Sequence, residues 1–504
     1  MEKKARIYYT SDVHGYLFPT SYGDREEKPM GLLNCISNFK KDGNTLIFDG
    51  GDTLQGSPLA AYISRKDRAP KTDPIARVYN RAGYDAAVPG NHDFNFGYDR
   101  LSQYFQAFKG VSLCANVRDL GGKTRIAGSH IFTLENGLRI GVTGIVTDYV
   151  NVWEQPEHLE KIQITDPFEA ALKELPRLKK EADVTVCIYH GGYECDLDSG
   201  AVLSTTGENV GWRILKELDY DLLLTAHQHM TIPGREIFGT HTLQLAANAV
   251  QYACLEVSMK EGKVSVSSSV CPAGQFHEEE PYESLRPLEE AVQKWLDEDI
   301  GRLKEPIPEM SKLDMALHGS AIADFFNQVQ LEYSGADISC MGLGNAPISL
   351  PERLTMRDLV RVYPFSNTLV VLEVDEKILK KALERCAEYF TLRDGNIEIS
   401  DAFLKPKVEH YNYDYFSGIT FELDLKAPVG SRVKKILYKG GPFPKHPLSL
   451  CMSDYRASGT GGYEVYRECR VIKRIGTEVS QIALEYLEKH PLAEIEKRGG
   501  IVLL

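Results

Sequence analysis

Residues 8–20 read YYTSDVHGYLFPT, an apolar run that ends in an Asp-x-His pair and a glycine. Taken alone, Asp12 and His14 fit either a polar strand end or the first half of a metal site. The pattern recurs along the first half of the chain, where apolar runs end in polar, mostly Gly-rich turns. These turns are SDVHG (11–15), DGGDTLQGSP (49–58), PGNHDFNFG (89–97), YHGG (189–192) and AHQHM (226–230).

The apolar runs before these turns predict the fold class. Short β-branched or apolar runs alternate with helical stretches, which is typical of an α/β layered sheet. The predicted strands are 5–11, 44–50, 84–90, 138–146, 182–190, 220–227 and 241–247. Because ligands of open α/β sheets lie beyond the carboxyl ends of the strands, the five polar turns are expected to converge on one site.

Composition excludes some classes of partner. The chain has 504 residues, 43% of them apolar, which is enough for two globular domains. Its formal net charge of -13 argues against a nucleic acid polymer as partner, because polymer binding needs a basic face. No stretch approaches the roughly 20 apolar residues that span a bilayer. An anionic ligand would therefore have to be attracted by a local site.

Cysteine usage bears on the compartment. The ten cysteines are scattered and form no C-x-x-C pair, so neither a zinc knuckle nor a disulfide framework is indicated. Residues 1–12, MEKKARIYYTSD, contain no apolar export segment. We expect a cytoplasmic protein; the alternative is an exported one whose signal peptide is absent from this sequence. The oligomeric state is left open.

A change of composition marks a domain boundary. Residues 281–315 are charged and helical in pattern, with prolines near the end, and are expected to form a linking helix. Residues 1–280 then form one domain. Residues 316–504 form a second domain with helices and strands of its own, an α+β unit. No internal repeat is present.

Seven polar side chains at the strand ends offer oxygen and nitrogen donors. They are Asp12, His14, Asp52, Asn91, His190, His227 and His229. Singly, each fits a turn or a helix cap better than a metal site. Together they are the donors of a two-metal centre in which Asp52 can bridge. Mixed His, Asn and Asp donors without Cys favour two divalent ions among Mn, Zn, Fe and Co.

The five turns also carry a family resemblance. SDVHG, DGGDTLQGSP, GNHDFNFG, YHGG and AHQH resemble the metal-binding blocks of calcineurin-like metallophosphoesterases, in the order and spacing of their 5'-nucleotidase branch. The resemblance implies a four-layer α/β/β/α sandwich for residues 1–280 and a nucleotide-recognition domain for residues 316–504. It covers almost the whole chain.

Residue by residue, the resemblance implies a ligand set for each ion. One ion would be held by Asp12, His14, Asp52 and His229, and the other by Asp52, Asn91, His190 and His227. His92 matches the catalytic histidine of the family, which stabilises or protonates the departing oxygen. Asn95 occupies the position of the residue that orients this histidine.

The second domain resembles the base-binding part of the same branch. YPFSNTLVVLEV (363–374) and SDYRASGTGGY (453–463) are similar to its two base-binding segments. The resemblance implies that Phe365 and Tyr455 sandwich the nucleobase and that Asn367 contacts base or ribose. Stacking tolerates any base, since every base has a π face. The alternative is that both rings are ordinary core residues.

Three positions depart from the 5'-nucleotidase pattern. Asn95 replaces an aspartate, and an amide can hold an imidazole but cannot stabilise an imidazolium by charge. MGLGNAPISL (341–350) contains no arginine for a 5'-phosphate, and Asn345 is its only long polar side chain. Gly461 replaces an aspartate that contacts the ribose. At all three positions the residue is similar to that of the bifunctional 2',3'-cyclic-nucleotide 2'-phosphodiesterase/3'-nucleotidases. At position 365, phenylalanine is instead similar to the residue of the 5'-nucleotidases.

The expected function is therefore hydrolysis of small-molecule nucleotides. A metal-dependent enzyme would open 2',3'-cyclic nucleotides to 3'-nucleotides and then release nucleoside and phosphate. A 5'-nucleotidase is one alternative. A non-catalytic nucleotide-binding protein of two domains is another, although such a protein would be expected to have lost a ligand or the catalytic histidine.

Overall fold

The structure, a computed structural model, describes residues 2–65, 72–275, 279–346, 349–365, 367–405 and 407–504, with the backbone alone at 279–281. The chain divides into two compact units, Met1–Gln293 and Lys294–Leu504. Among the described residues, no helix combines the length and the apolar character needed to cross a membrane.

Two six-stranded sheets form the centre of the first unit. In spatial order, one sheet holds the strands Lys263–Pro272, Gln251–Lys260, Lys3–Thr10, Thr45–Asp49, Ala86–Ala87 and Val111–Ser112. The other holds Ile232–Ile237, Thr240–Gln244, Leu222–Thr225, Val184–His190, Arg139–Val146 and Ser129–Thr133. In each sheet four neighbouring strands run parallel. All seven strands predicted from the sequence lie in these sheets, which confirms them.

The two sheets pack face to face between layers of helices. The hydroxyl of Tyr9 in one sheet donates to the carbonyl of Thr225 in the other at 3.0 Å. Helix Pro167–Glu181 packs on the outer side of the second sheet. On the other side, the hydroxyl of Tyr79, a helical residue, donates to the carboxylate of Asp49 at 3.0 Å. The predicted four-layer α/β/β/α sandwich is therefore confirmed.

Burial explains why the parallel strands form where they do. Every residue of Thr45–Asp49, Val184–His190 and Leu222–Thr225 is buried. Continuous apolar runs of this kind are typical of parallel strands that are covered on both faces. Among the described residues, the helices that lie wholly within this unit are Leu32–Ile36, Pro58–Ser64, Pro74–Ala82, Gly97–Ala107, Val150–Trp153, Pro156–Leu159, Pro167–Glu181 and Gly211–Glu217. Asn91–Phe94 forms a 3-10 turn, and Val117–Asp119 pairs with Ile162–Ile164.

The second unit is α+β. Its five-stranded sheet has the order Asp414–Ser417, Ile338–Gly342, Leu448–Ser453, Leu369–Val374 and Val471–Ile475. A four-stranded sheet has the order Gly441–Pro442, Val433–Tyr438, Ile419–Leu423 and Gly500–Leu503. Arg353–Thr355, Asp299–Leu303 and Leu492–Ala493 form a small sheet, and Phe390–Arg393 pairs with Asn396–Ile399. The helices are Lys312–His318, Ala321–Ser334, Met356–Val362, Glu376–Ala387, Asp454–Ala457 and Val479–Lys489, and 3-10 turns lie at Asp401–Phe403, His410–Asn412 and Glu464–Tyr466.

The segment predicted as a linking helix, 281–315, is only partly helical. A helix runs over Glu279–Leu296, and the strand Asp299–Leu303 follows within the predicted range. Gly301 has a φ of 145°, which a helix does not accommodate. Beyond it, Pro306 and Pro308 lack the backbone N–H that a continuing helix needs.

Candidate metal centre

The polar side chains predicted as ligands lie at the carboxyl ends of parallel strands. Asp12, Asp52, Asn91 and His227 follow such strands within a few residues, and His190 is the last residue of one. Because the two sheets face each other, these strand ends converge. The side chains predicted from five separate segments are therefore brought to one place.

Two groups of potential metal ligands share Asp52. In the first group, one ligand atom from each residue lies within 4.8 Å of the others, and its members are Asp12, His14, Asp52 and His229. The second group, by the same measure, consists of Asp52, His190 and His227. Asn91 joins it, because its Oδ1 is 3.1 Å from His190 Nε2 and 2.9 Å from His227 Nδ1. All seven predicted ligand residues are therefore assembled.

Strained backbone conformations direct these side chains. Asp12, His14, Asp52, His227 and His229 all have positive φ, between 51° and 73°. Such conformations are uncommon outside glycine and cost of order 1–3 kcal/mol each. They persist only where the surrounding structure holds them and are concentrated at functional sites.

Backbone carbonyls fix the direction of two imidazole rings. Nδ1 of His14 is 2.8 Å from the carbonyl of Gln55, and Nδ1 of His190 is 2.7 Å from that of Gly50. Because a carbonyl only accepts, each Nδ1 carries the hydrogen. Nε2 of His190 is then directed to Asp52 Oδ2, at 3.3 Å. This arrangement orients metal-binding histidines in proteins generally.

The donor set fits divalent cations. The Oδ2 atoms of Asp12 and Asp52 are buried and have no hydrogen-bond partner among the described residues. Nε2 of His14 lies 3.0 Å from Nε2 of His229. A cation between these lone pairs would satisfy all of them, whereas without one the buried oxygens are unpaired. Carboxylate, amide and imidazole donors without thiolate suit Mn, Zn, Fe or Co.

The electrostatics agree with a cation site. Burial raises the pKa of Asp12, but the hydrogen bond and charge of His229 outweigh it and bring the pKa to about 2. Burial likewise opposes ionisation of Asp52, yet the charges of His190 and His92 hold its pKa well below the usual value. Both carboxylates are therefore ionised at neutral pH and can serve as anionic ligands.

His92 lies beside the cluster and outside both groups. Its ring centroid is 5.5 Å from that of His14, and its backbone N–H donates to Asp52 Oδ1 at 2.8 Å. Its Nδ1 is 2.7 Å from Oδ1 of Asn95. The residues predicted as catalytic are thus in contact with each other and next to the predicted ligands.

The residues predicted to bind the substrate share one end of the five-stranded sheet. Asn345 follows one strand, and Tyr455 follows its parallel neighbour. Phe365 and Asn367 precede the next strand, which runs antiparallel. All four residues therefore lie at the same end of these three strands.

Their contacts differ. Phe365 is half-buried, its ring 5.3 Å from that of Tyr363, and Tyr455 is half-buried as well. Nδ2 of Asn367 donates to the hydroxyl of Tyr363 at 3.2 Å. Asn345 is exposed, but its amide binds backbone on both sides, donating to residue 408 and accepting from residue 410. Its geometry is thus that of a loop cross-link.

Gly461 lies at the same edge and leaves no room for a side chain. Its φ is 78°, and a Cβ there would be 2.2 Å from Asn412 Oδ1 and 2.5 Å from Arg456 Nη1. Arg456 is held in place by Asp414, with Nε 2.8 Å from Oδ2. A side chain at position 461 would therefore have to displace Asn412 or Arg456.

Comparison with known proteins agrees with both units. Residues 5–231 match the family model described as calcineurin-like phosphoesterase, and residues 299–468 match that of the 5'-nucleotidase C-terminal domain. A solved structure from Staphylococcus aureus with a provisional 5'-nucleotidase name, in complex with alpha-ketoglutarate, is 31% identical, covers 99% of this chain and 100% of its own, and has a TM-score of 0.90. The chain belongs to the 5'-nucleotidase branch of the calcineurin-like phosphoesterases.

Two curated relatives of this phosphoesterase are more distant. It is 23% identical to the 2',3'-cyclic-nucleotide 2'-phosphodiesterase/3'-nucleotidase of Haemophilus influenzae, over 98% of this chain and 85% of that protein. It is 22% identical to the trifunctional nucleotide phosphoesterase protein YfkN of Bacillus subtilis, over 95% of this chain. The chain spans only 37% of the length of the latter. Calcineurin-like phosphoesterases use divalent metals, and nucleotidases act on small nucleotides.

Asp93 also supports the candidate metal centre, although it was not among the site residues predicted from the sequence. Oδ atoms of Asp93 accept from the backbone N–H groups of Asp52, Thr53, Leu54 and Gly90 at 2.7–3.0 Å. This buried carboxylate therefore fixes the turn that carries Asp52. Its place in GNHD, directly after His92, was the available signal.

Two further contacts fix the ring of His227. Nε2 of His227 is 2.9 Å from Oε1 of Glu208, and the indole of Trp153 stacks on the ring with centroids 5.5 Å apart. Nδ1 of His227 is then the ring nitrogen that faces the second group of potential metal ligands. Glu208 and Trp153 lie outside the strand-end motifs, and no pattern in the sequence pointed to them.

Proposed function

We propose that this phosphoesterase opens 2',3'-cyclic nucleotides to 3'-nucleotides and then hydrolyses 3'-nucleotides to nucleoside and phosphate. The observation that carries the proposal is the position of Asp52, which belongs to both groups of potential ligands. A shared carboxylate is typical of two-metal phosphoesterase sites.

We assign one ion to Asp12, His14, Asp52 and His229, and the second to Asp52, Asn91, His190 and His227. When bound, the two ions supply the positive charge and Lewis acidity that displacement at phosphorus needs. The chain itself holds their ligands in fixed rotamers through carbonyl and carboxylate contacts, such as that of Glu208 to His227. This preorganisation lowers the cost of reaching the transition state.

His92 has the role of general acid in this proposal. Its backbone is held by Asp52 Oδ1, and its Nδ1 by Asn95. The other ring nitrogen, Nε2, then delivers a proton to the departing ribose oxygen. A positioned acid of this kind contributes about 10²- to 10⁴-fold to the rate.

Three positions favour cyclic and 3'-nucleotides. The segment 341–350 contains no arginine for a 5'-phosphate, although 347 and 348 lie outside the described residues. Gly461 has no room for the ribose-binding aspartate. Asn95 replaces the aspartate of the 5'-nucleotidases. Relatives from Haemophilus influenzae, Yersinia enterocolitica and Salmonella typhimurium carry the cyclic-phosphodiesterase name.

A 5'-nucleotidase is the second candidate. It is favoured by the provisional name of the Staphylococcus aureus structure, which is 31% identical over 99% of this chain. Phe365, in place of the tyrosine expected in the cyclic enzymes, points the same way.

For the base, we propose that Phe365 and Tyr455 form the stacking surfaces. Both are half-buried and lie at one end of the same sheet. Stacking contributes about 1–3 kcal/mol per base.

We also propose a reducing compartment, the cytoplasm. All ten cysteines are free thiols, and seven of them are buried. Free thiols persist where glutathione keeps them reduced. Fractionation of the native cells, with blotting for the chain, tests this placement.

A substrate panel decides between the candidates. We expect Mn²⁺-reconstituted protein to hydrolyse 2',3'-cyclic AMP and 3'-AMP with a kcat/KM at least about tenfold above that for 5'-AMP, or roughly 1.4 kcal/mol in transition-state binding. Equal or reversed values would favour the 5'-nucleotidase. No turnover of any of the three would favour a binding protein.

A further inference from the structure

The side chain of Asn95 lies between the predicted catalytic histidine and a buried glutamate. Asn95 Oδ1 is 2.7 Å from His92 Nδ1, and Asn95 Nδ2 donates to Glu154 Oε2 at 2.7 Å. Only 5% of the Glu154 side chain is exposed. The three side chains form a hydrogen-bonded chain from the histidine to the carboxylate, although Glu154 is 59 residues from Asn95 in sequence.

We propose that Glu154 is a positioning residue that acts through Asn95 to orient His92 for proton transfer. The reaction that this serves is the one proposed above, and in that respect the inference rests on the proposed function. The contacts themselves do not depend on which nucleotide is the substrate.

The donor and acceptor chemistry gives the orientation. Nδ2 of Asn95 donates to a carboxylate oxygen of Glu154, so the NH₂ group of Asn95 faces Glu154. The amide oxygen of Asn95 then faces His92, and since this oxygen only accepts, Nδ1 of His92 carries a hydrogen. The transferable proton is therefore the one on Nε2. In the reaction the Nε2–H bond breaks, its electron pair stays on nitrogen, and an O–H bond forms on the departing oxygen.

Glu154 is itself held in one direction. Its Oε1 accepts from the backbone N–H of Gln155 and lies 2.8 Å from Nδ1 of His158. The His158 ring is in turn packed against Gly97, where an added Cβ would lie 3.2 Å from Cδ2. Both oxygens of Glu154 are thus engaged, and the carboxylate cannot rotate without losing these contacts.

The hydrogen-bonded chain from Glu154 through Asn95 to His92, called the relay below, also supplies the negative charge that the amide of Asn95 lacks. With aspartate at position 95, the negative charge would contact the imidazole directly. Here it is one amide further away, and the chain of hydrogen bonds polarises the amide toward His92. Glu154 thus compensates for the neutral residue at position 95.

The first test compares leaving groups. In Mn²⁺-reconstituted full-length protein, Glu154→Gln should lower kcat for 3'-AMP about tenfold or more with little change in KM, because a misplaced acid slows the proton transfer. For p-nitrophenyl phosphate, whose phenolate leaves without a proton, kcat should change by less than about threefold. Metal content and melting temperature should match the wild type. Glu160→Gln, an exposed glutamate of the same segment, is the control.

A rescue experiment tests the relay directly. Asn95→Asp alone places two carboxylates at hydrogen-bond distance, and like charges so close disfavour each other, so activity should fall. In the Glu154→Gln background the same substitution should raise activity, because the new carboxylate accepts from His92 and from the glutamine amide. A change of sign between the two backgrounds is the signature of residues that act as one unit.

Several results would overturn the proposal. One is an equal loss of kcat for 3'-AMP and p-nitrophenyl phosphate in Glu154→Gln protein with full metal content. Another is an Asn95→Asp substitution that changes activity in the same direction in the wild type and in the Glu154→Gln variant. Independently of any folding defect in Glu154→Gln, NMR of the ring nitrogens in Zn²⁺-loaded wild type should show a hydrogen on Nδ1 of His92, identified by its loss in His92→Gln. A hydrogen on Nε2 alone would contradict the relay.

Failure of the proposed function is distinguishable. If the substrate panel favours 5'-AMP, the same comparison is made with 5'-AMP, and the relay is judged by the leaving-group and rescue results alone.

Discussion

Asp52 is the residue on which both groups of the candidate metal centre depend. Its Oδ2 is 3.8 Å from His14 Nε2 and 3.3 Å from His190 Nε2, one in each group. Its Oδ1 accepts from the backbone N–H of His92. Gly51 permits this placement, since a Cβ there would lie 2.4 Å from the backbone nitrogen of Gly90.

We expect Asp52→Asn to abolish the cyclic-phosphodiesterase and 3'-nucleotidase activities together. A neutral amide would replace the carboxylate that belongs to both groups of potential ligands, so metal content should also fall. Turnover and metal per chain by mass spectrometry measure the two effects, and Asp99→Asn, at an exposed aspartate, is the control. Near-normal turnover with two metals bound would contradict the dinuclear assignment.

Glu208 should affect one ion more than the other. Its Oε1 contacts Nε2 of His227, which belongs to the second group of predicted ligands. We therefore expect Glu208→Gln to weaken one of two metal-binding steps about 10- to 100-fold, the usual cost of losing a partner of a metal-binding histidine. Competition titration with a chromogenic chelator measures both steps. The exposed Glu261 provides a control as Glu261→Gln. Equal weakening of both steps would argue that Glu208 acts on the whole centre.

At the scale of elements, the sequence predicts the site residues at strand ends but not those on the connecting segments. Asp12 and His190 were found because a buried strand followed by a polar turn is a local pattern. Glu154 and Glu208 lie on connecting segments, 59 residues from Asn95 and 19 residues from His227, respectively. Nothing local in such a segment indicates which strand end it will contact.

The predicted linking helix shows a related limit. The charged, helical pattern continues past Leu296, yet the strand Asp299–Leu303 follows, because it pairs with strands at 353–355 and 492–493. Pairing between segments so far apart in sequence overrides local helix propensity.

The turn that contains Gly461 gives a test at this scale. Gly461→Ala should destabilise the protein by about 2–4 kcal/mol, since it adds overpacking against Asn412 and Arg456 to the strain of a positive φ. Gly430→Ala is matched, because Gly430 has a φ of 84° but nothing within 4 Å of an added Cβ. It should cost only about 1 kcal/mol. Urea unfolding measures both, and equal losses would remove the steric argument.

At the scale of the whole molecule, the net charge of the protein has the same sign as that of its proposed substrates. The chain has a net charge of -13, yet the substrates proposed for it are anions. Long-range attraction therefore cannot supply the affinity, and at physiological salt it would be screened beyond about 8 Å in any case. Recognition must come from local features, and we propose the metal centre for the phosphate and the aromatic surfaces for the base.

The last prediction separates these two contributions. Phe365→Ala and Tyr455→Ala should each lower kcat/KM for 3'-AMP by about 1–3 kcal/mol, which is roughly tenfold or more, because each removes a stacking surface. Activity on ribose 3-phosphate should stay nearly unchanged, since this substrate has no base to stack. An aryl phosphate would not serve as the comparison, because its own ring could stack.

A matched control distinguishes stacking from stability. Tyr438, another half-buried tyrosine of the second unit, lies on the four-stranded sheet, so Tyr438→Ala should leave the ratio of the two substrates unchanged. If Phe365→Ala or Tyr455→Ala lowered both activities in parallel and reduced the melting temperature, the ring would be part of the core. If neither variant changed the ratio, the base would be bound elsewhere, because a removed stacking surface must weaken the substrate that has a base more than the one that lacks it.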